Sequence, residues 1–222
     1  MSTVATELPA HLDERDAAGI IAWAAGEFAD GLVFTASFED PVLVHLVAEH
    51  APRTPIVLLD TQYLFAETLW FAQKLQSTLG FDLQVVRPLA EVRPDDQWTT
   101  DVESCCHRRK VEPLQRALSG KAAWITGIRR VDGPTRADAP VVAFDVARDI
   151  VKINPLAAWS DGDLASYIIE HELPVNPLTE RGYPSIGCWP CTRPVAPGED
   201  KRAGRWSGQA KTECGLHVGE KS

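Results

Sequence analysis

Long apolar runs are missing from this 222-residue chain: stretches such as PIVLL (55–59) fall far short of the roughly 20 residues a helix needs to cross a bilayer. The first residues hold Glu7, Asp13, Glu14 and Asp16 and no apolar core, so no signal peptide is expected. The expectation is a cytoplasmic protein with no membrane partner. Basic residues are scarce in positions 1–100, with 5 Lys/Arg against 15 Asp/Glu, whereas the remainder is balanced at 17 against 16. A formal net charge of −9 excludes nucleic acid as the main partner. Internal repeats and low-complexity tracts are absent. The turn TASFED (35–40) lacks the glycines of a phosphate loop and the S-G-G-x-D-S run of ATP-cleaving adenylating enzymes.

What is present alternates in type. Apolar runs at 32–35, 56–60, 82–86 and 122–127 read as strands, the first of them buried. Between them, helical periodicity covers about Asp13–Ala29, Pro41–Glu49, Phe65–Leu79 and Val111–Leu118. Strands and helices alternating at this spacing predict an α/β fold, a parallel sheet flanked by helices on both faces. VVAFD and IVKIN add a hairpin or edge pair, and 160–172 reads as a helix with Ser160 as N-cap and Asp163 completing a near capping box. Beyond Leu173 the periodicity fades, and Pro, Gly and charged residues predict a segment held by something other than a core, or a mobile tail.

Ligands of open parallel sheets sit beyond the carboxyl ends of the strands. That rule gathers TASFED, LDTQYLF (59–65) and TGIRRVDGPTR (126–136) around one crevice. Basic residues come in three knots, HRRK (107–110), IRR (128–130) and KRAGR (201–205). Any one of them alone reads as a solvated face. Three knots beside cysteine or glycine motifs favour a small anionic ligand.

The five cysteines divide into an adjacent pair, Cys105–Cys106, a C-x-x-C pair, Cys188 and Cys191, and the single Cys214. Adjacent thiolates grip one tetrahedral ion awkwardly, whereas the four corners of a cubane accept each thiolate separately. The combination favours a 4Fe-4S cluster over zinc, with four buried inert thiols as the bland alternative. Cys214, on a polar glycine-flanked tail with Lys211 and His217 near in sequence, reads as a nucleophile; the alternative is an incidental surface thiol.

Taken together, SCCHRRKVEPL, LLDTQYLFAETLWF, WITGIRRVDGPTRA, GCWPCT, RAGRW and ECGLH are similar to the assimilatory adenylylsulfate reductases, the cluster-bearing branch of the phosphoadenylylsulfate reductase family. The resemblance runs from about residue 31 to 217. It implies an adenine-nucleotide alpha-hydrolase-like fold, with residues 1–194 as the nucleotide-binding reductase domain and 195–222 as a mobile C-terminal tail. It implies reduction of adenosine 5′-phosphosulfate to sulfite and AMP in assimilatory sulfate reduction and cysteine biosynthesis, with thioredoxin as donor. By position, Cys105, Cys106, Cys188 and Cys191 match the cluster ligands, and Cys214 the nucleophile that becomes S-sulfocysteine. Lys110 matches the lysine between cluster and substrate, Arg202 and Arg205 the phosphosulfate arginines, and His217 the tail histidine. Leu59 and Gly127 match nucleotide-contacting positions. Many members carry an S-F-G-A-E-D-like loop where this chain has TASFED, and Ser37 is the residue carried over there. A homo-oligomer is compatible with the sequence. The competing readings are a reductase of the 3′-phosphorylated substrate, against which the cysteine pairs count, a zinc-containing adenylating enzyme, and a non-catalytic iron–sulfur sensor or nucleotide-binding module, which would need neither Cys214 nor the arginine knots.

Overall fold

The computed structural model describes residues 6–206, 211, 215 and 216. Strands β1 (Leu32–Ala36), β2 (Ile56–Leu59), β3 (Leu83–Val86), β4 (Ala123–Ile125), β5 (Val142–Asp145) and β6 (Ile150–Ile153) form one sheet in the order β3-β2-β1-β4-β6-β5. All pairings are parallel except β5 with β6, so β5 is the edge strand of the expected hairpin while β6 lies inside, parallel to β4. Burial on both faces explains the near-continuous apolar runs of β1, β2, β4 and β6, whereas the edge strand β3 is largely exposed. Leu32 and Phe34 belong to the main core with helices α1 (Ala17–Phe28), α2 (Val42–His50), α3 (Ala66–Leu79) and α7 (Asp161–Glu170). Val33, Val57, Trp124 and Ile150 meet Leu114 and Leu118 of α6 (Glu112–Leu118) on the other face.

Local chemistry sets the helix ends. Asp16 caps α1 by accepting the Gly19 N–H at 2.8 Å, which starts that helix later than the periodicity suggests. Gly80 ends α3 at φ +73°, where a side chain would be strained. Ser160 and Asp163 form a full reciprocal capping box at α7.

One feature differs from the sequence expectation. The short helices α4 (Gln97–Thr100) and α5 (Val102–Cys106) precede a π-helical stretch, His107–Val111, that runs into α6. Glu112 donates its N–H to the His107 carbonyl, a five-residue step, and Pro113 has no N–H with which to continue the ordinary four-residue ladder. The polar SCCHRRK run hides this from periodicity.

Residues 174–206 contain only short 3₁₀ turns and are tied down by specific hydrogen bonds. Buried Asn176 donates to the Phe38 carbonyl at 3.0 Å, Val195 to Gly182, Arg193 to Gly204 and Trp206 to Cys191. Isolated bridges join Leu64 to Cys188 and Thr192 to Arg205.

Candidate active site: an anion crevice joined to a four-cysteine cavity

The chain leaves β1 for β2 on one side and β4 pairs on the other, so the sheet's switch point lies at β1. A crevice of about 210 Å³ opens there, lined by residues 34–40, by Leu58, Leu59 and Thr61, and by residues 126–128, as the topology rule requires. Ser37, Leu59, Gly127, Lys110, Arg202 and Arg205 all line it. Phe38, at its base, is buried with φ +54°, a conformation that the Asn176 hydrogen bond helps to fix.

Two carboxyls in the crevice wall were not singled out by sequence reasoning. Burial pushes Glu39 and Asp40 above the ordinary carboxylate range; the Ile186 N–H and Arg205 oppose this for Glu39, the Val42 N–H and Arg129 for Asp40. Glu39 Oε2 accepts the Ile186 N–H at 2.9 Å, pinning the segment that leads to Cys188.

Arg205 is held from several sides. Its Nη1 donates to Ser185 Oγ and the Ile186 carbonyl, both at 3.2 Å, and its guanidinium carbon stands 4.6 Å from the Trp206 ring centroid. Its Nε is buried with no hydrogen-bond partner among the described residues. Lys110 is buried too, with Nζ 5.9 Å from the same Trp206 ring.

Cys105 and Cys106, on α5, and Cys188 and Cys191, at the N-cap and the last residue of the 3₁₀ turn Trp189–Cys191, line a second, small cavity with Tyr63, Trp98, Arg109 and Lys110. All four are free thiols, and Thr61 Oγ1 lies 3.2 Å from Cys188 Sγ. Arg109 is buried to 1% exposure; its Nη2 pairs with Asp95 at 3.2 Å and donates to the Arg93 carbonyl at 2.6 Å, its Nη1 donates to Gln62, and it stacks 4.6 Å from the Tyr63 centroid. Burial pushes the Cys105 and Cys106 thiols up, and Cys191 up to about 11. Arg109 opposes the shift at Cys105, and Lys110 at Cys106 and Cys191. Among the described residues no group of three or more His, Cys, Asp or Glu is placed to hold a metal ion. An all-thiol donor set around one cavity, with two buried cations to offset thiolate charge, nevertheless fits a metal–sulfur group in its chemistry.

The basic HRRK knot was flagged in the sequence, but nothing there separates buried Arg109 from half-exposed Arg108. The two cavities share a wall: Lys110 and Cys188 line both.

Cys214 and His217 lie outside the described residues. Their described neighbours are docked. Lys211 Nζ pairs with Glu103 at 2.5 Å, two residues before Cys105, and Leu216 lines the crevice while its carbonyl accepts from Arg148 Nη2 at 3.0 Å. No described helix is long and apolar enough to cross a membrane.

Residues 31–194 match the model of the phosphoadenosine phosphosulfate reductase domain. An adenosine 5′-phosphosulfate reductase of Rhodococcus opacus is 45% identical over 94% of this chain and 91% of its own length. One from Mycobacteroides abscessus is 45% identical with the same coverage. Among solved structures, a phosphoadenylyl-sulfate reductase from Candida auris superposes with a TM-score of 0.70 at 27% identity, covering 80% of this chain and 90% of that one. The NAD synthetase of Campylobacter jejuni, at TM-score 0.51 and 10% identity over 77% of this chain and 76% of its own, shares the fold alone. The chain belongs to the phosphoadenosine phosphosulfate reductase family.

Proposed function

We propose that this chain reduces adenosine 5′-phosphosulfate to sulfite and AMP in the cytoplasm, through an S-sulfocysteine on Cys214, with a thioredoxin dithiol as electron donor. The observation that carries the reading is the shared wall: Lys110 and Cys188 border both the four-cysteine cavity and the crevice that Arg202 and Arg205 line. The relatives' names support the substrate. The docked neighbours of Cys214, Lys211 and Leu216, support the placement of the tail at this crevice.

The chemistry assigns each residue a task. The adenosine lies over the strand ends beside Leu59 and Gly127, with Ser37 at the phosphate end. Arg202, Arg205 and Lys110 neutralise the phosphosulfate, with His217 beside it, so that its phosphate oxygen becomes a good leaving group. The Cys214 thiolate attacks the sulfur; a sulfur–sulfur bond forms and the sulfur–oxygen bond breaks, its electron pair departing with AMP. A thiolate of the dithiol then attacks Cys214 Sγ, and sulfite leaves with the electron pair of the sulfur–sulfur bond; the second thiolate attacks the donor sulfur of the mixed disulfide, closing the donor's disulfide and releasing Cys214 as a thiolate. The dithiol loses two electrons and the substrate sulfur gains two.

Cys105, Cys106, Cys188 and Cys191 would hold a 4Fe-4S cluster, which when bound supplies a compact, negatively charged, redox-capable group. Arg109 and Lys110 offset that charge from the protein side. The test is mass spectrometry of protein mixed with substrate and no dithiol, which should gain about 80 Da on Cys214 as covalent catalysis requires.

A further inference from the structure

Asp132 gathers three cations from two separate segments. Its Oδ1 lies 2.8 Å from Arg129 Nη2 and 2.8 Å from Lys201 Nζ, and its Oδ2 lies 3.6 Å from Arg136 Nη1. Asp161, at the start of α7, closes the figure from outside, 2.7 Å from the same Arg129 nitrogen and 3.2 Å from the same Lys201 nitrogen. Asp132, Arg129 and Arg136 each keep 14% or less of their side chain exposed, so solvent screens this network far less than an ordinary surface pair.

The network joins the two pieces of chain that bring arginines to the crevice. Arg136 lines the crevice from the loop after β4; Arg202, the residue after Lys201, lines it from the C-terminal segment, and Arg205 follows one turn later. Segment 200–206 has no helix or strand ladder of its own, and Lys201 ties it ionically to the loop after β4.

We propose that Asp132, with Lys201, is a positioning hub that sets the register of the arginine-bearing segment against the loop after β4, and so fixes where an anionic phosphate is gripped. The hub rests on the proposed function only in taking the crevice ligand to be an adenosine 5′-phosphate. Neither residue has to touch that ligand. Asp132 carries a negative charge beside an anion site, so a purely electrostatic field and a positioning role predict opposite signs. In a field, losing Asp132's charge tightens anion binding. In a hub it loosens binding, because Arg129 and Lys201 are left with the exposed Asp161 alone as their shared acid and the arginine segment is held less firmly in register.

The experiment is calorimetric titration of AMP, and separately of adenosine, into the wild-type protein, Asp132→Asn, Lys201→Met and the double variant. Asp132→Asn and Lys201→Met should each weaken AMP binding about three- to tenfold, between the effects of exposed ion pairs and buried charged hydrogen bonds. Adenosine affinity should hold, and the double variant should lose less than the two single losses multiplied together, because both changes break the Asp132–Lys201 contact while Lys201–Asp161 and Asp132–Arg129 are lost separately. AMP binding in Asp132→Asn that equals or exceeds wild type overturns the hub. Parallel losses for AMP and adenosine overturn it as well, since they report general damage. If wild-type protein does not prefer AMP to adenosine, the proposed function falls and the hub with it, which separates the two failures. If Asp132→Asn does not fold, Asp161→Asn at the exposed end of the network keeps the test decisive: the hub predicts weaker AMP binding, and binding equal to or tighter than wild type overturns it.

Discussion

The guanidinium of Arg205 lies across the α-carbon of Gly187: a Cβ built there would stand 2.5 Å from Nη2, 2.7 Å from the guanidinium carbon and 3.0 Å from Nε. Only glycine leaves the guanidinium in this place, at a residue adjoining Cys188, because any larger side chain makes Arg205 shift. Gly187→Ala should therefore push Arg205 out of place and weaken AMP binding by roughly 1.5–3 kcal/mol, the worth of a charge-assisted hydrogen bond. Titration of AMP checks this. Unchanged affinity would mean that Arg205 does not grip the anion from this position.

The cofactor assignment predicts that anaerobically purified protein is brown and holds about four irons per chain, as a cubane requires. Cys105→Ser should lose that iron, whereas Cys214→Ser should keep it. Metal analysis decides: one zinc and no iron per chain would overturn the cluster.

Away from the crevice, Tyr167 of α7 bonds His45 Nδ1 of α2 at 2.9 Å. Burial, with Glu49 and Glu170 adding to it, pushes its phenol from 10.0 up to about 12. A raised folded-state value means that the stabilisation is fully present below about pH 10 and fades as pH rises toward 12. Thermal melts should thus show a decline across that alkaline window, smaller in Tyr167→Phe. An identical alkaline profile in that variant would contradict the assignment.

Local patterns were legible before the structure. The C-C and C-x-x-C spacings mark the four-cysteine cavity, the strand alternation marks the sheet, and Ser160 with Asp163 marks the start of α7. Each of these is written in residues close together in the chain. What stayed hidden depends on contacts between distant segments. Glu39 matters because it meets Ile186, and Gly187 because it meets Arg205. Asp132 reads as an ordinary turn acid until Lys201 is brought to it. The π-helical stretch at 107–111 was also illegible, since no hydrophobic period marks one extra residue in a polar turn.

The central claim is that Cys214 becomes covalently sulfonated and is then cleared by a dithiol. Peptide-level mass spectrometry of wild-type protein with adenosine 5′-phosphosulfate tests it most directly. The account predicts an adduct of about 80 Da on Cys214 alone, lost on adding reduced thioredoxin, and absent in Cys214→Ser. No adduct, or an adduct on Cys105, Cys106, Cys188 or Cys191, would contradict it.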